Sequence, residues 1–183
     1  IRRLHPDPVD WTILREVLDL ALKAPTSSNS QDWVFIVVTD PEQKRRLANI
    51  YRLGGLARPL MSPGRQAPSS AMERQWNAVQ WQFEHFHEVP AFIIPCYRRN
   101  LRHRPTGWPQ LSVSSFYGSV YPAVQNILLA CRAVGLGASL QTLPIWFLPG
   151  VRRVLGLPRS HVPVCILPVG WARGRYGPTQ RPA

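Results

Sequence analysis

Three groups of residues in this chain could hold a ligand or take part in chemistry. The first is the run Pro25-Thr26-Ser27-Ser28-Asn29-Ser30-Gln31, followed directly by Asp32 and Trp33. It crowds hydroxyls, amides and backbone polar groups into one turn. Such a run reads either as a helix end with an entry turn for the next strand, or as a polar loop that faces a ligand. The second group is Gln125-Asn126, two amides that interrupt an apolar helical stretch, either as satisfied core amides or as ligand contacts. The third is the pair of basic ends, Arg2-Arg3 and Arg181. A guanidinium fork matches the oxygens of a phosphate, although terminal arginines are commonly only solvated. Thiol and metal chemistry find little support. Cys96, Cys131 and Cys165 each stand alone in an apolar stretch, which predicts three buried thiols in a reducing cytoplasm rather than a disulfide or a zinc site. His85 and His87 lack metal-binding helical spacing.

Composition narrows the partners. The 183 residues suffice for one domain, residues 1–183, and not for two ordinary ones. Lys+Arg is 22 against Asp+Glu 10, a net charge of +12, and only Lys23 and Lys44 are lysines. That balance favours anionic partners. The arginines are dispersed, however, and the densest run, Arg98 to Arg104, reads as a solvated loop. No RNA-binding, zinc-finger or basic-zipper signature appears, so no specific nucleic-acid partner is expected. Nineteen prolines exclude a long coiled coil. No apolar run reaches the ~18 residues of a membrane span, and no leader precedes His5-Pro6-Asp7-Pro8, so a cytoplasmic location is expected.

The elements that must position these groups can be read along the chain. Asp10 caps a helix whose apolar positions Leu14, Val17, Leu18 and Ala21 follow helical spacing, and Pro25 stops it. Trp33–Thr39 is a strand. Asp40-Pro41 starts a second helix, expected to end at Gly54-Gly55. A third helix runs from Ser70 to about Glu88, and a strand covers 90–97, with Pro95 suggesting an edge position or a bulge. A long helix spans about Ser114 to Val134, with Pro122 inside it or near its first turn. A strand over Ala138–Thr142, a short helix near 149–155 and a strand over 162–170 follow. The Gly135-Leu136-Gly137 pair follows a helix and precedes a strand, which is the wrong context for a dinucleotide loop. The order predicts an α+β fold, a three-layer α/β/α sandwich with a central mixed sheet.

Several motifs in register resemble the flavin-dependent nitroreductase family: Arg2-Arg3-Leu4-His5-Pro6-Asp7-Pro8-Val9, Pro25 to Trp33, Tyr121-Pro122-Ala123-Val124-Gln125-Asn126, Gly135-Leu136-Gly137-Ala138 and Pro168-Val169-Gly170-Trp171. The resemblance implies a homodimer with FMN at the dimer interface, NAD(P)H as hydride donor, a ping-pong mechanism, and nitroaromatic, quinone or related conjugated small-molecule acceptors. It places Arg2 and Arg3 at the flavin phosphate and pyrimidine edge, and Pro25, Thr26, Ser27, Ser28, Asn29 and Gln31 at the partner subunit's flavin. It aligns Leu140, Gln141, Thr142 and Leu143 with the backbone beside flavin N5, and Arg181 with the phosphate. No catalytic side chain is implied, because the cofactor carries the redox step. The helix ahead of the second strand commonly lends the ring a polar side chain, which the residues alone do not place.

The chain departs from the pattern at Asp32, where the family usually has proline. The family's first phosphate-binding arginine is expected upstream of Ile1. No residue singles out the members that fragment flavin or remove halogens. The alternative class is a non-enzymatic flavin-binding or basic nucleic-acid-binding protein on the same fold.

Overall fold

The computed structural model describes residues 1–61, 70–98 and 109–174. Asp10 caps α1 (Trp11–Ala21), accepting a hydrogen bond from the Thr12 N–H at 2.7 Å. The helix buries Leu14, Val17 and Ala21, one helical stripe. A single 3₁₀ turn, Ser27–Asn29, leads into β1 (Trp33–Val38). Asp40 caps α2 (Pro41–Met61) through the Gln43 N–H at 2.8 Å. Then come α3 (Ser70–His85), β2 (Ala91–Arg98), α4 (Pro109–Ala133), β3 (Leu136–Ala138), α5 (Leu148–Leu155), β4 (His161–Pro163) and β5 (Leu167–Trp171).

The sheet runs β1-β2-β5-β3, with β4 also on β2. Its two faces are both buried. Ala91 and Ile93 of β2 point into one cluster with α1 and α4, while Phe92, Ile94 and Cys96 point into a second with α2 and α5. That alternation makes the expected three layers. The expected mixed sheet is corrected: every described pairing is antiparallel. Two helices, α2 and α3, separate β1 from β2, so the chain reverses an extra time. The single helix α4 does return β3 in the direction of β2, but β5 inserts between them, antiparallel to both.

Four further expectations change. Gly54-Gly55 does not end α2, which continues to Met61. These glycines serve packing instead. A Cβ on Gly54 would lie 2.7 Å from Leu143 Cγ, and one on Gly55 2.8 Å from the Phe83 ring. The strand expected at Ala138–Thr142 lies earlier, at Leu136–Ala138, and Gln141 makes only an isolated bridge to Ile166. The last strand is split into β4 and β5. Pro95 lies in an interior strand rather than at an edge. The expected irregularity is in its neighbours: β5 pairs with Ala91–Ile93 and β4 with Cys96–Arg98, leaving Pro95 at the gap, where its carbonyl accepts from the Val164 N–H at 3.0 Å.

Candidate functional site

The N-terminal segment lies along the edge formed by β3 and the end of β5. The Ile1 nitrogen donates to Ala138 O at 2.8 Å, the Arg173 N–H to Arg3 O at 3.0 Å, and the His5 N–H to Trp171 O at 2.8 Å. Leu4 is buried and presses on Gly137, where any Cβ would come within 2.7 Å of Leu4 Cδ2. The second glycine of Gly135-Leu136-Gly137 is therefore needed for close approach of the N-terminal segment. Beside this segment is a cavity of about 710 Å³. Arg2 and Arg3 line it together with Arg74 and Asn77 of α3 and Arg132 of α4. Leu128, Leu136 and Ala138 supply apolar wall. Among the described residues no carboxylate lines it. Arg2 Nε is buried without a hydrogen-bond partner.

Behind Ala138 a buried polar network begins. Tyr51 Oη donates to Gln141 Oε1 at 2.9 Å, Gln141 Nε2 to Ser139 Oγ at 3.1 Å, and Gln82 Nε2 to the same Ser139 Oγ at 2.9 Å. Gln82 is 1% exposed, and its Oε1 is buried without a partner. A buried carbonyl oxygen left unpaired is costly, so this acceptor calls for an explanation. Gln141 turns inward, and its backbone N–H and carbonyl are both committed to Ile166, at 3.0 and 2.8 Å. Its N–H is therefore not available to a flavin in this arrangement. Leu140 and Thr142 on either side are exposed, and Leu143 packs over Gly54.

The polar turn sits elsewhere. Its base is pinned to α4, where the Ser27 N–H donates to Ser119 Oγ at 3.1 Å. Its own side chains close it: the Gln31 N–H donates to Thr26 Oγ1 at 3.2 Å and Gln31 Nε2 to Asn29 Oδ1 at 3.0 Å. Ser28, Asn29 and Gln31 adopt φ of 51°, 51° and 50°, the left-handed region that residues with a Cβ seldom occupy. Apart from Thr26, every residue from Pro25 to Gln31 is exposed. Asp32, in the family's proline position, accepts the Arg98 N–H on its carbonyl at 2.6 Å and holds the Arg98 guanidinium 3.7 Å from its carboxylate. No described contact joins this turn to the arginine-lined cavity of the same chain. Near Ser119, Tyr117 and Tyr121 stack at 5.7 Å and line a smaller cavity of about 370 Å³ with Thr142 and Trp146.

The remaining candidates divide. Gln125 is exposed, and Asn126 Nδ2 donates to Leu20 O at 3.2 Å near the end of α1, so neither amide lies in the core. Arg181 and Arg99–Arg104 lie outside the described residues. All three cysteines are free and buried, and burial pushes each thiol up to about 12, which makes them poor nucleophiles. No cluster of metal-ligating side chains occurs among the described residues, and no helix there is long and apolar enough to cross a membrane. Gln82 is the residue that sequence reasoning missed. Its signal was a polar side chain one turn before Phe86 on the inward face of α3, hidden by the helix's general richness in glutamine.

Fold and site together define a sandwich with a basic cavity beside its N-terminal segment and an exposed polar turn on another face. The sequence profile of the nitroreductase family matches residues 1–171, and the chain belongs to that family. Among curated relatives, a putative NADH dehydrogenase/NAD(P)H nitroreductase of Methanothermobacter thermautotrophicus is 23% identical over 93% of this chain and 71% of its own length. The iodotyrosine deiodinase of Drosophila melanogaster is 26% identical over 92% of this chain, which spans only 57% of that protein. Among solved structures, an iodotyrosine deiodinase bound to FMN and 3-iodo-L-tyrosine superposes with a TM-score of 0.74 at 22% identity, covering 100% of this chain and 91% of that one. Bacillus megaterium NfrA1 gives 0.73 at 22% identity, covering 99% and 66%. At these identities the structural likeness speaks for the fold.

Proposed function

We propose that the chain is an FMN-dependent oxidoreductase that passes hydride from NAD(P)H to nitroaromatic, quinone or related conjugated acceptors, working as a homodimer in the cytoplasm. One observation carries the proposal. Two buried polar atoms of opposite sense lack a partner in one corner of the fold: the Arg2 Nε–H donor lines the cavity, and the Gln82 Oε1 acceptor is tied through Ser139 to its wall at Ala138. A flavin offers the complement of both, an anionic phosphate and an electron-rich pyrimidine edge for the arginine and a ring N–H for the amide oxygen.

When bound, the flavin supplies the two-electron step, taking hydride from the nicotinamide and yielding it to the acceptor. Every other requirement falls on this chain. Arg2 and Arg3 would hold the phosphate and pyrimidine edge. A cation there favours the negatively charged reduced form and so raises the potential. Gln82 would orient the ring. Leu140, Thr142 and Leu143 would set the backbone beside N5, with Gln141 fixing that segment from inside. Arg181 would add a second guanidinium at the phosphate. The turn Pro25–Gln31 would meet the flavin of the neighbouring subunit, which explains why its left-handed backbone is exposed in the single chain. Donor and acceptor would use one site in turn, giving parallel initial-rate lines.

The test is anaerobic reduction of the FMN-loaded protein. NADH or NADPH should bleach the visible flavin band, and a nitroaromatic or quinone should restore it. A flavin that stays oxidised with both donors would contradict the proposal.

A further inference from the structure

The arginine-lined cavity holds more positive charge than the N-terminal segment brings to it. Arg74 enters from α3, and Arg132 from the last turn of α4. Neither belongs to the motifs that align the chain with a flavin. Asn77, three residues after Arg74, lies on the same helical face and also lines the cavity. The negative end of the α4 dipole accounts for one cation at that place, Arg132, but not for four guanidinium groups around one volume. The described lining residues include no carboxylate, and a concave wall concentrates the field of the arginines. Leu128, Leu136 and Ala138 add an apolar surface next to the charges.

We propose that Arg74 and Arg132, with Asn77, form a second anion subsite in this cavity, which takes the phosphate or carboxylate head of a small organic anion while its apolar body lies against Leu128, Leu136 and Ala138. The proposal rests on the functional assignment above in one respect, that Arg2 and Arg3 serve the flavin. Two planar forks from different helices can grip an oxyanion from two sides, and the amide of Asn77 can complete its hydrogen bonds. The apolar surface selects an organic anion over the bare ion.

The test is isothermal titration of the FMN-loaded protein, in a chloride buffer free of other oxyanions, with inorganic phosphate, phenyl phosphate and benzoate. One phosphate should bind per chain with the flavin retained, and phenyl phosphate should bind more tightly than phosphate. Comparing phenyl phosphate with benzoate tells which head group the subsite takes. Arg74→Gln and Arg132→Gln should each weaken phenyl phosphate about tenfold, at unchanged melting temperature and flavin content. Absence of saturable binding by any of the three, or unaltered affinity in the double variant, would overturn the subsite. Release of flavin by phosphate would also overturn it, because the anion would then occupy the flavin's own phosphate position. A protein that takes up no FMN would defeat the functional assignment instead. The same titration on the flavin-free chain and its variants would still decide on Arg74 and Arg132.

Discussion

Replacing Gln82 with leucine separates a ligand-facing amide from an ordinary core amide, because the two predict opposite outcomes. Gln82 is 1% exposed; its Nε2 donates to Ser139 Oγ at 2.9 Å and its Oε1 has no partner. Leucine of similar volume removes one made bond, worth about 1 kcal/mol, and one unsatisfied buried acceptor, which costs about 1–3 kcal/mol. The flavin-free protein should therefore lose no more than ~0.5 kcal/mol and can gain up to ~2 kcal/mol. At about 2–4 °C per kcal/mol for a domain of this size, the melting temperature should hold or rise by several degrees. Flavin binding loses one neutral hydrogen bond, about 0.5–1.5 kcal/mol, so the Kd for FMN should rise about two- to twelvefold. Urea denaturation of the flavin-free protein and fluorescence titration with FMN read the two quantities separately. A loss of more than ~1 kcal/mol of stability with unchanged FMN affinity would refute the assignment and leave Gln82 as a structural residue.

Tyr51→Phe keeps the ring contacts with Phe83 and Phe86 at 4.3 and 4.4 Å but strands the buried Gln141 Oε1; it should cost about 1–3 kcal/mol in urea denaturation, part of it recovered in the double variant with Gln141→Leu. A change below about 0.5 kcal/mol would show that the network bears no stability. Ser28→Glu, at an exposed position, should leave the melting temperature within about 2 °C and weaken FMN binding in the dimer about tenfold or more; unchanged affinity would remove the turn from the flavin site. The three thiols favour the folded state only while protonated, since burial raises them from 9.0 to about 12. Their contribution is complete below pH 9.0 and is lost as pH rises toward about 12, so stability should fall over that window and less steeply in Cys→Ala variants.

What could be read from the sequence was local. The Asp10 and Asp40 caps act within three residues, and both helices start where they predict. The apolar stripe of α1 and the alternating faces of β2 follow from period alone. What escaped was tertiary. Gly54 and Gly55 look like a helix stop, and only the approach of Leu143 and Phe83 shows why they lie mid-helix. The antiparallel sheet depends on where β5 inserts, which no single segment encodes. Family likeness singles out Leu140–Leu143, but that Gln141 faces inward and spends its N–H on Ile166 is set by the distant strand end. Arg2 and Arg3 were legible as a basic pair, and the structure puts both on the wall of one cavity. Their meeting with Arg74 and Arg132 joins three stretches of chain, the N-terminal segment, α3 and α4. Asp32 looked like a departure beside the site, and its bonds to Arg98 show it bracing the turn from β2.

The most direct measurement of the central claim is the binding of FMN to the purified chain, followed by visible absorbance and by calorimetry, with Arg2→Ala alongside. The account predicts saturable binding of one FMN per subunit in a two-fold dimer, with Arg2→Ala weakening FMN by one to two decades, as expected for a lost charge-assisted bond of roughly 1.5–3 kcal/mol. A folded protein that takes up no FMN, or one whose affinity is the same with and without the Arg2 guanidinium, would contradict it.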